Sequence, residues 1–82
     1  MEPYLGRTRR GGVIAFHILP EAIDVEFDSG WIYRFSYVKP GAARVEHMKV
    51  LARDGRGLAT FINKYVRNRF EARRHKDDLL PQ

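Results

Sequence analysis

The sequence predicts an α+β fold: a small three-stranded antiparallel sheet followed by two helices that pack on its aromatic face, in the order β-β-β-α-α. Residues 22–27 and 31–38 alternate between apolar and polar side chains, as half-buried strands do. The second half of the chain instead spaces its apolar residues three and four apart, as amphipathic helices do. With 82 residues, 44% of them hydrophobic, the chain has room for one core. We therefore predict a single domain over residues 13–74.

The sheet is predicted from three strands. The first covers residues 13–19, is rich in β-branched and aromatic side chains, and ends at Pro20. The second and third are the alternating segments, and one face of the third carries Trp31, Tyr33, Phe35 and Tyr37. Exposed aromatic side chains on a sheet can stack RNA bases. The two helices, however, need an apolar face to cover, so we favour burial of this face in the core.

The turn at residues 28–30 decides the register between the second and third strands. In a three-residue loop with Gly30 in the left-handed conformation, every apolar side chain faces another apolar side chain. The expected pairs are Phe27 with Trp31, Val25 with Tyr33, and Ile23 with Phe35. A two-residue loop would shift the register by one and bury acidic side chains without partners. The opposite face, with Asp24, Glu26, Asp28 and Arg34, is then expected to meet water.

Two helices and two flexible flanks complete the prediction. Pro40 suits a first helical position, and a helix is predicted over residues 42–53. Residues 54–57, DGRG, end it, either as a plain helix–helix turn or as a loop whose amides bind an anion. A second helix is predicted over residues 58–74. Its apolar positions are Leu58, Phe61, Ile62, Tyr65, Val66 and Phe70. Residues 1–12 are predicted to form a flexible basic arm and residues 75–82 a frayed tail.

The charge is concentrated in the second half of the chain. The formal net charge is +5, and residues 53–76 alone carry +6. Such a concentration is expected of a protein that binds a polyanion, commonly a nucleic acid, although a solvated helix face would look the same. The residues predicted to contact phosphate are Arg53, Arg56, Lys64, Arg67, Arg73 and Arg74.

Signals of catalysis and of metal binding are weak. The chain has no cysteine, which excludes disulfides and thiolate metal sites. Its histidines, His17, His47 and His75, lack the spacing of metal ligands. The second strand carries several acidic residues. On a solvent-facing strand such residues usually only make the surface soluble, and they seldom form a catalytic carboxylate pair. We expect a non-catalytic protein with no metal and no cofactor.

Nothing in the sequence indicates a membrane or an export signal. The longest clean apolar run, residues 13–16, is far shorter than the roughly 20 residues that span a bilayer. The first residues lack the apolar stretch of a signal peptide. We therefore expect a cytoplasmic protein with no membrane partner.

Two short motifs resemble the KTSC domain, a family named for the carboxyl terminus of some lysyl-tRNA synthetases. The stretch FDSGWIYRF at residues 27–35 is similar to the family pattern F-x-S-G-x-x-Y-x-Y, and NKYVR at residues 63–67 is similar to N-x-x-[IV]-R. The motif positions are Phe27, Gly30, Tyr33, Phe35, Asn63 and Arg67. Phe35 replaces the family's second tyrosine, and Lys39 separates the Val-Pro pair that follows. The resemblance implies a stand-alone domain of bacterial type for which RNA binding is suspected.

Two functional hypotheses follow. The first is a non-catalytic module that binds RNA, with little sequence preference, through the basic face of the second helix. The second is a protein-interaction or self-assembly domain, whose basic face meets an acidic partner or whose open strand edge pairs with a second copy.

Overall fold

The computed structural model describes residues 1–6 and 12–79, and it confirms the α+β class with an antiparallel sheet. Across these residues the sheet has five strands in the order β1-β2-β3-β4-β5, two more than predicted. The strands are β1 (Glu2–Pro3), β2 (Val13–Leu19), β3 (Ala22–Phe27), β4 (Trp31–Ser36) and β5 (Ala72–His75). The helices are α1 (Ala42–Asp54) and α2 (Leu58–Phe61), which continues as a π-helical segment, Ile62–Val66. A 3-10 turn, Lys76–Leu79, follows β5.

The hairpin between β3 and β4 has the predicted register. Val25 lies opposite Tyr33, and Ile23 lies opposite Phe35. Gly30 has a φ of 96°, and its amide donates to the carbonyl oxygen of Phe27 at 2.9 Å. The three-residue turn therefore places the apolar side chains of both strands on one face of the sheet, as the alternation indicates.

The helices cover that face, which we call the inner face, and the core lies between them. Phe35 is fully buried there, as predicted, while Trp31 and Tyr33 are partly buried. The buried apolar side chains are Tyr4, Val13, Phe16, Ile23, Val25, Phe35, Val45, Met48, Ala52, Leu58, Ile62 and Val66. Both helices contribute to this set, because their apolar residues recur three and four apart.

The second helix ends earlier than predicted. The periodicity holds through Val66, but the chain then turns and residues 72–75 form β5 on the free edge of β4. Hydrogen bonds fix this arrangement: the amide of Glu71 donates to the carbonyl oxygen of Arg34 at 2.8 Å, and the hydroxyl of Ser36 donates to the carboxylate of Glu71, also at 2.8 Å. An uncovered edge would leave the polar backbone groups of β4 unpaired, so pairing outweighs helix propensity here.

Both chain ends are more ordered than predicted wherever the structure describes them. Glu2 pairs with Phe16 across β1 and β2. Tyr4 is 2% exposed, and its hydroxyl accepts the amide of Leu58 at 3.1 Å. At the other end, β5 and the 3-10 turn together include residues 75–79, which were predicted to be frayed. The remaining parts of these predictions, residues 7–11 and 80–82, lie outside the described residues.

The predicted helix over residues 42–53 is confirmed, but Pro40 does not occupy its first position. The helix begins at Ala42, and Gly41, with a φ of 117°, precedes it as the N-cap. Pro40 lies outside the helix and bridges to Ser36. Gly41 adopts this positive φ at no steric cost, which lets the helix begin two residues after the proline.

The outer face of the sheet, opposite the helices, is not fully exposed to solvent. Asp24 was predicted to meet water, yet it is only 2% exposed. Arg34 donates to both of its carboxylate oxygens, at 2.7 and 2.9 Å, and Arg74 lies 3.5 Å from one of them. Burial alone would raise the pKa of Asp24, but the hydrogen bonds and charges of the two arginines hold that pKa below its ordinary value.

No helix within the described ranges is long and apolar enough to cross a membrane.

Candidate functional site

A cavity of about 200 Å³ opens between the inner face of the β3–β4 hairpin and the helical segment 58–66. We call it the cleft. Its lining residues are Phe27, Ser29, Tyr33, Phe35, Ile62, Asn63 and Arg67. The aromatic side chains form the floor and the polar side chains form the lip. Pockets for drug-sized ligands usually measure about 300–1,000 Å³, so this one suits a single small group.

The floor consists of three aromatic rings on the inner face of the sheet. Tyr33 and Phe35 alternate along β4, which puts both on the same face. Their rings are nearly parallel, 16° apart in orientation with centroids separated by 6.3 Å. Phe27 meets the Tyr33 ring edge-on, with the centroids 5.6 Å apart. The hairpin register therefore gathers three aromatic rings on one side of the cleft.

Asn63 and Arg67 form the helical side of the lip. Ile62 and Val66 are buried and anchor the π-helical segment to the core, which leaves the intervening polar side chains at the surface. The separation of four residues brings Asn63 and Arg67 to the same side of the helix, facing the cleft. Single π-helical turns inside helices occur frequently at functional sites.

The side chains of Asn63 and Arg67 have no hydrogen-bond or ion-pair partner among residues 1–6 and 12–79. Both residues are exposed. Neither side chain donates or accepts a hydrogen bond, or forms an ion pair, with any residue in the described part of the chain. A free guanidinium offers five N–H donors in a planar fork that matches phosphate or carboxylate, and a free carboxamide can both donate and accept. The lip can therefore bind an anionic group beside a polar one.

The hairpin tip, which carries Ser29, is held by the C-terminal strand. The imidazole Nε2 of His75 lies 3.1 Å from the carbonyl oxygen of Ser29, and the amide of Lys76 donates to the carbonyl oxygen of Gly30 at 2.8 Å. The amide of Asp77 donates to Nδ1 of His75 at 3.2 Å, so Nε2 carries the proton and donates to Ser29. β5 thus fixes one side of the cleft.

Ser29, His75 and Asp77 do not form a nucleophilic triad, although all three residue types are present. The imidazole reaches the backbone carbonyl of Ser29 rather than its hydroxyl, and Nδ1 accepts an amide proton instead of donating to the carboxylate. The Asp77 carboxylate lies 3.5 Å from Nδ1. In this arrangement His75 is not positioned to take the proton of the serine hydroxyl. Among the described residues there is also no cluster of three side chains suited to hold a metal ion.

The residues predicted to contact phosphate do not share one helical face. Arg67 lies at the cleft. Arg73 lies on β5, with its guanidinium 4.8 Å from the centroid of the Trp31 ring. Arg74 lies on the same strand but faces the outer side, where it pairs with Asp24. The placement of Arg73 and Arg74 on the second helix was wrong because that helix ends before residue 72.

The other predicted phosphate contacts lie outside the cleft lining. Lys64 is exposed, and its ammonium lies 5.6 Å from the centroid of the Tyr65 ring. Arg53 is in the last turn of α1, and Arg56 is in the turn that follows; both are exposed. The amide of Leu58, one candidate for binding an anion at this turn, instead donates to the hydroxyl of Tyr4.

The motif positions singled out by the KTSC resemblance do come together. Phe27, Tyr33, Phe35, Asn63 and Arg67 all line the cleft. Gly30 lies next to the cleft, in the turn that carries Ser29. Sequence reasoning did not select Ser29 or Ile62 as site residues. Ser29 belongs to the S-G pair of the first motif, and that membership is the signal that could have identified it.

A second polar cluster near the start of α1 is satisfied internally. The hydroxyl of Tyr37 donates to Glu46 at 2.6 Å, and the ammonium of Lys49 lies 2.8 Å from the same carboxylate and donates to the carbonyl oxygen of Pro20 at 3.1 Å. The hydrogen bond to Glu46 raises the pKa of Tyr37. Hydrogen bonds from Lys49 and Tyr37 lower the pKa of Glu46. This cluster ties α1 to the sheet.

A scan against models of protein families found no match, and searches of curated proteins and of solved structures also found none.

Proposed function

We propose that this protein is a small, non-catalytic module that binds single-stranded RNA and seats one nucleotide in the cleft. The observation that carries the proposal is a pair of side chains, Arg67 and Asn63, that lie at the lip of an aromatic cavity and have no partner among the described residues. The surplus of basic residues supports it, because a net charge of +5 attracts a polyanion.

The chemistry of a nucleotide matches each part of the cleft. A base has a flat apolar ring, which packs against aromatic side chains and gains about 1–3 kcal/mol per base in single-stranded complexes. Asn63 can donate to and accept from the polar edge of that base. Arg67 can hold two phosphate oxygens at once. Only an unstacked base can enter such a cavity, which favours a single strand over a duplex.

In this proposal the RNA-binding surface is the cleft, and not the basic face of the second helix that the sequence predicted. Arg74 is engaged with Asp24 and is therefore a weaker candidate for phosphate contact. Arg67 has no acidic partner in the described part of the chain. Membership of the KTSC family and a cytoplasmic location belong to the same proposal, and the meeting of the motif positions at the cleft supports the former.

Self-assembly through an open strand edge has less support. The two terminal strands of the described sheet, β1 and β5, have two and four residues. β5 also carries two arginines and a histidine. Short, charged edge strands resist pairing with another chain.

Replacing Arg67 with glutamine is expected to weaken RNA binding about tenfold, because one charge-assisted phosphate contact is lost. The test is fluorescence anisotropy with a labelled decamer of uridine, repeated over a series of salt concentrations. The slope of log affinity against log salt should also fall by about 0.7, the value for one phosphate of a single strand. Asn63→Ala should weaken binding and leave that slope unchanged.

Arg56→Gln is the matched control, since it removes the same charge from an exposed arginine that does not line the cleft. Its effect should be clearly smaller than that of Arg67→Gln. Equal losses in the two variants would show that only overall charge matters and would remove the cleft from the account. Absence of binding by the wild type at low ionic strength would remove the proposal altogether.

A further inference from the structure

A second cationic group lies beside the cleft, on the strand that the sequence did not predict. Because β5 pairs with β4 in register, Arg73 lies opposite Tyr33 and His75 lies opposite Trp31. Partners directly opposite each other in a sheet point to the same face. Arg73 is thereby placed on the inner face, the face that carries the cleft.

Two aromatic rings hold the guanidinium of Arg73. It lies 4.8 Å from the centroid of the Trp31 ring and 6.0 Å from that of Phe70. Cation–π contacts of this kind fix the position of the group without neutralising its charge. Within the described residues the side chain of Arg73 has no hydrogen bond and no acidic partner, and the residue is exposed. Its edge N–H donors are thus positioned and open to a ligand.

The aromatic contacts run without a break from Arg73 to the cleft. Phe70, the second ring beside Arg73, meets Tyr33 edge-on with the centroids 4.9 Å apart. Tyr33 in turn forms part of the cleft floor. The guanidinium of Arg73 and the cleft floor therefore both lie next to the ring of Phe70.

We propose that Arg73, positioned by Trp31 and Phe70, forms a second subsite that binds the phosphate of the nucleotide next to the one in the cleft. The proposal rests on the RNA-binding function proposed above and specifies it: the minimal ligand is a dinucleotide. Arg67 and Arg73 then contact successive phosphates, while the base between them lies on the floor of the cleft.

The test compares uridine 5′-monophosphate with the 5′-phosphorylated dinucleotide pUpU, and NMR titration gives the affinities. In the wild type the dinucleotide should bind about tenfold more tightly, as expected for one added charge-assisted contact. Arg73→Gln should keep the mononucleotide affinity within about twofold and lose most of that gain. Arg69→Gln is the matched control, since it removes another exposed arginine of the same segment and should keep the gain.

Trp31 provides an independent readout, because it is the single tryptophan of the chain. Its fluorescence should change on addition of pUpU and stay nearly constant with the mononucleotide. Arg73→Lys keeps the charge and loses the planar fork, so its dinucleotide affinity should fall between those of the wild type and Arg73→Gln. Thermal unfolding of each variant shows whether it has kept the wild-type fold.

The outcomes separate the two proposals. If the protein binds neither the mononucleotide, nor the dinucleotide, nor longer RNA, the proposed function is overturned and this inference with it. RNA binding that depends on Arg67, combined with an unchanged dinucleotide gain in a folded Arg73→Gln, would overturn the second subsite alone. A loss of mononucleotide affinity in Arg73→Gln would place Arg73 within the first subsite and would also contradict the inference.

Discussion

Asp24→Asn is expected to lower the free energy of unfolding at neutral pH by about 2–3 kcal/mol. Breaking a buried ion pair by removing one partner usually costs about 3–5 kcal/mol. The cost here is smaller because the side chains of Arg34 and Arg74 are 38% and 36% exposed, so water partly solvates them once the carboxylate is gone. For a domain of this size the melting temperature should fall by roughly 10–20 °C.

The same substitution is expected to change the response to acid. The pKa of Asp24 is lower in the folded protein than its ordinary value of 3.8. Its stabilising effect is therefore fully present above that ordinary value and is lost as the pH falls through the lowered one. Stability measured by urea denaturation between neutral pH and about pH 2 should decline less steeply in Asp24→Asn than in the wild type.

Asp54→Asn is the matched control for both measurements. It removes the same charge at the exposed end of α1, where the change should stay within about 0.5 kcal/mol. An equal loss in the two variants, or an acid response that Asp24→Asn leaves unchanged, would show that the ion-pair cluster on the outer face contributes little.

Gly30→Ala is expected to destabilise the fold by about 2–3 kcal/mol. Its φ of 96° is a conformation that residues with a side chain rarely adopt, and such strain costs about 1–3 kcal/mol. A Cβ at this position would also lie 2.7 Å from Nε2 of His75. The imidazole would have to move, which breaks its hydrogen bond to Ser29 and its edge contact with Trp31. Both effects loosen the hairpin tip.

Gly57→Ala separates the strain from the steric clash. Gly57 has a similar φ of 81°, but the nearest atom to an added Cβ is a methyl carbon of Leu51 at 3.7 Å, an ordinary contact. Thermal unfolding should therefore show a smaller loss, about 1 kcal/mol, for Gly57→Ala. Equal losses in the two variants would mean that the His75 contact does not hold the hairpin tip.

The sequence predicted the central strands because their signal is local. Alternation along residues 22–27 and 31–38, together with a glycine in a three-residue turn, determines both the inner face and the register. β5 has no such signal: its sequence, ARRH, is mostly polar, and all of it except His75 belongs to the segment predicted as the second helix. Pairing with β4, far away in the sequence, makes it a strand. Pairing between segments so far apart in the sequence produces no pattern within a short stretch of residues.

The lining of the cleft was predicted only in part, for a related reason. The two KTSC-like motifs supplied most of the residues that line the cleft, yet neither motif shows that they face one another across it. The charge count in turn treated all arginines of the second half as equivalent. A charge count could not show that Arg74 forms an ion pair with the buried Asp24. Nor could it show that Arg73 packs against Trp31, a contact that does not neutralise its charge.

The proposed binding of RNA in the cleft is tested most directly by NMR, with ¹⁵N-labelled protein titrated with a short single-stranded RNA. We predict that chemical shift changes concentrate at the side-chain amide of Asn63, the Nε–H of Arg67 and the backbone amides of residues 27–35. Changes confined to residues 53–57, or no change at low ionic strength, would contradict the account.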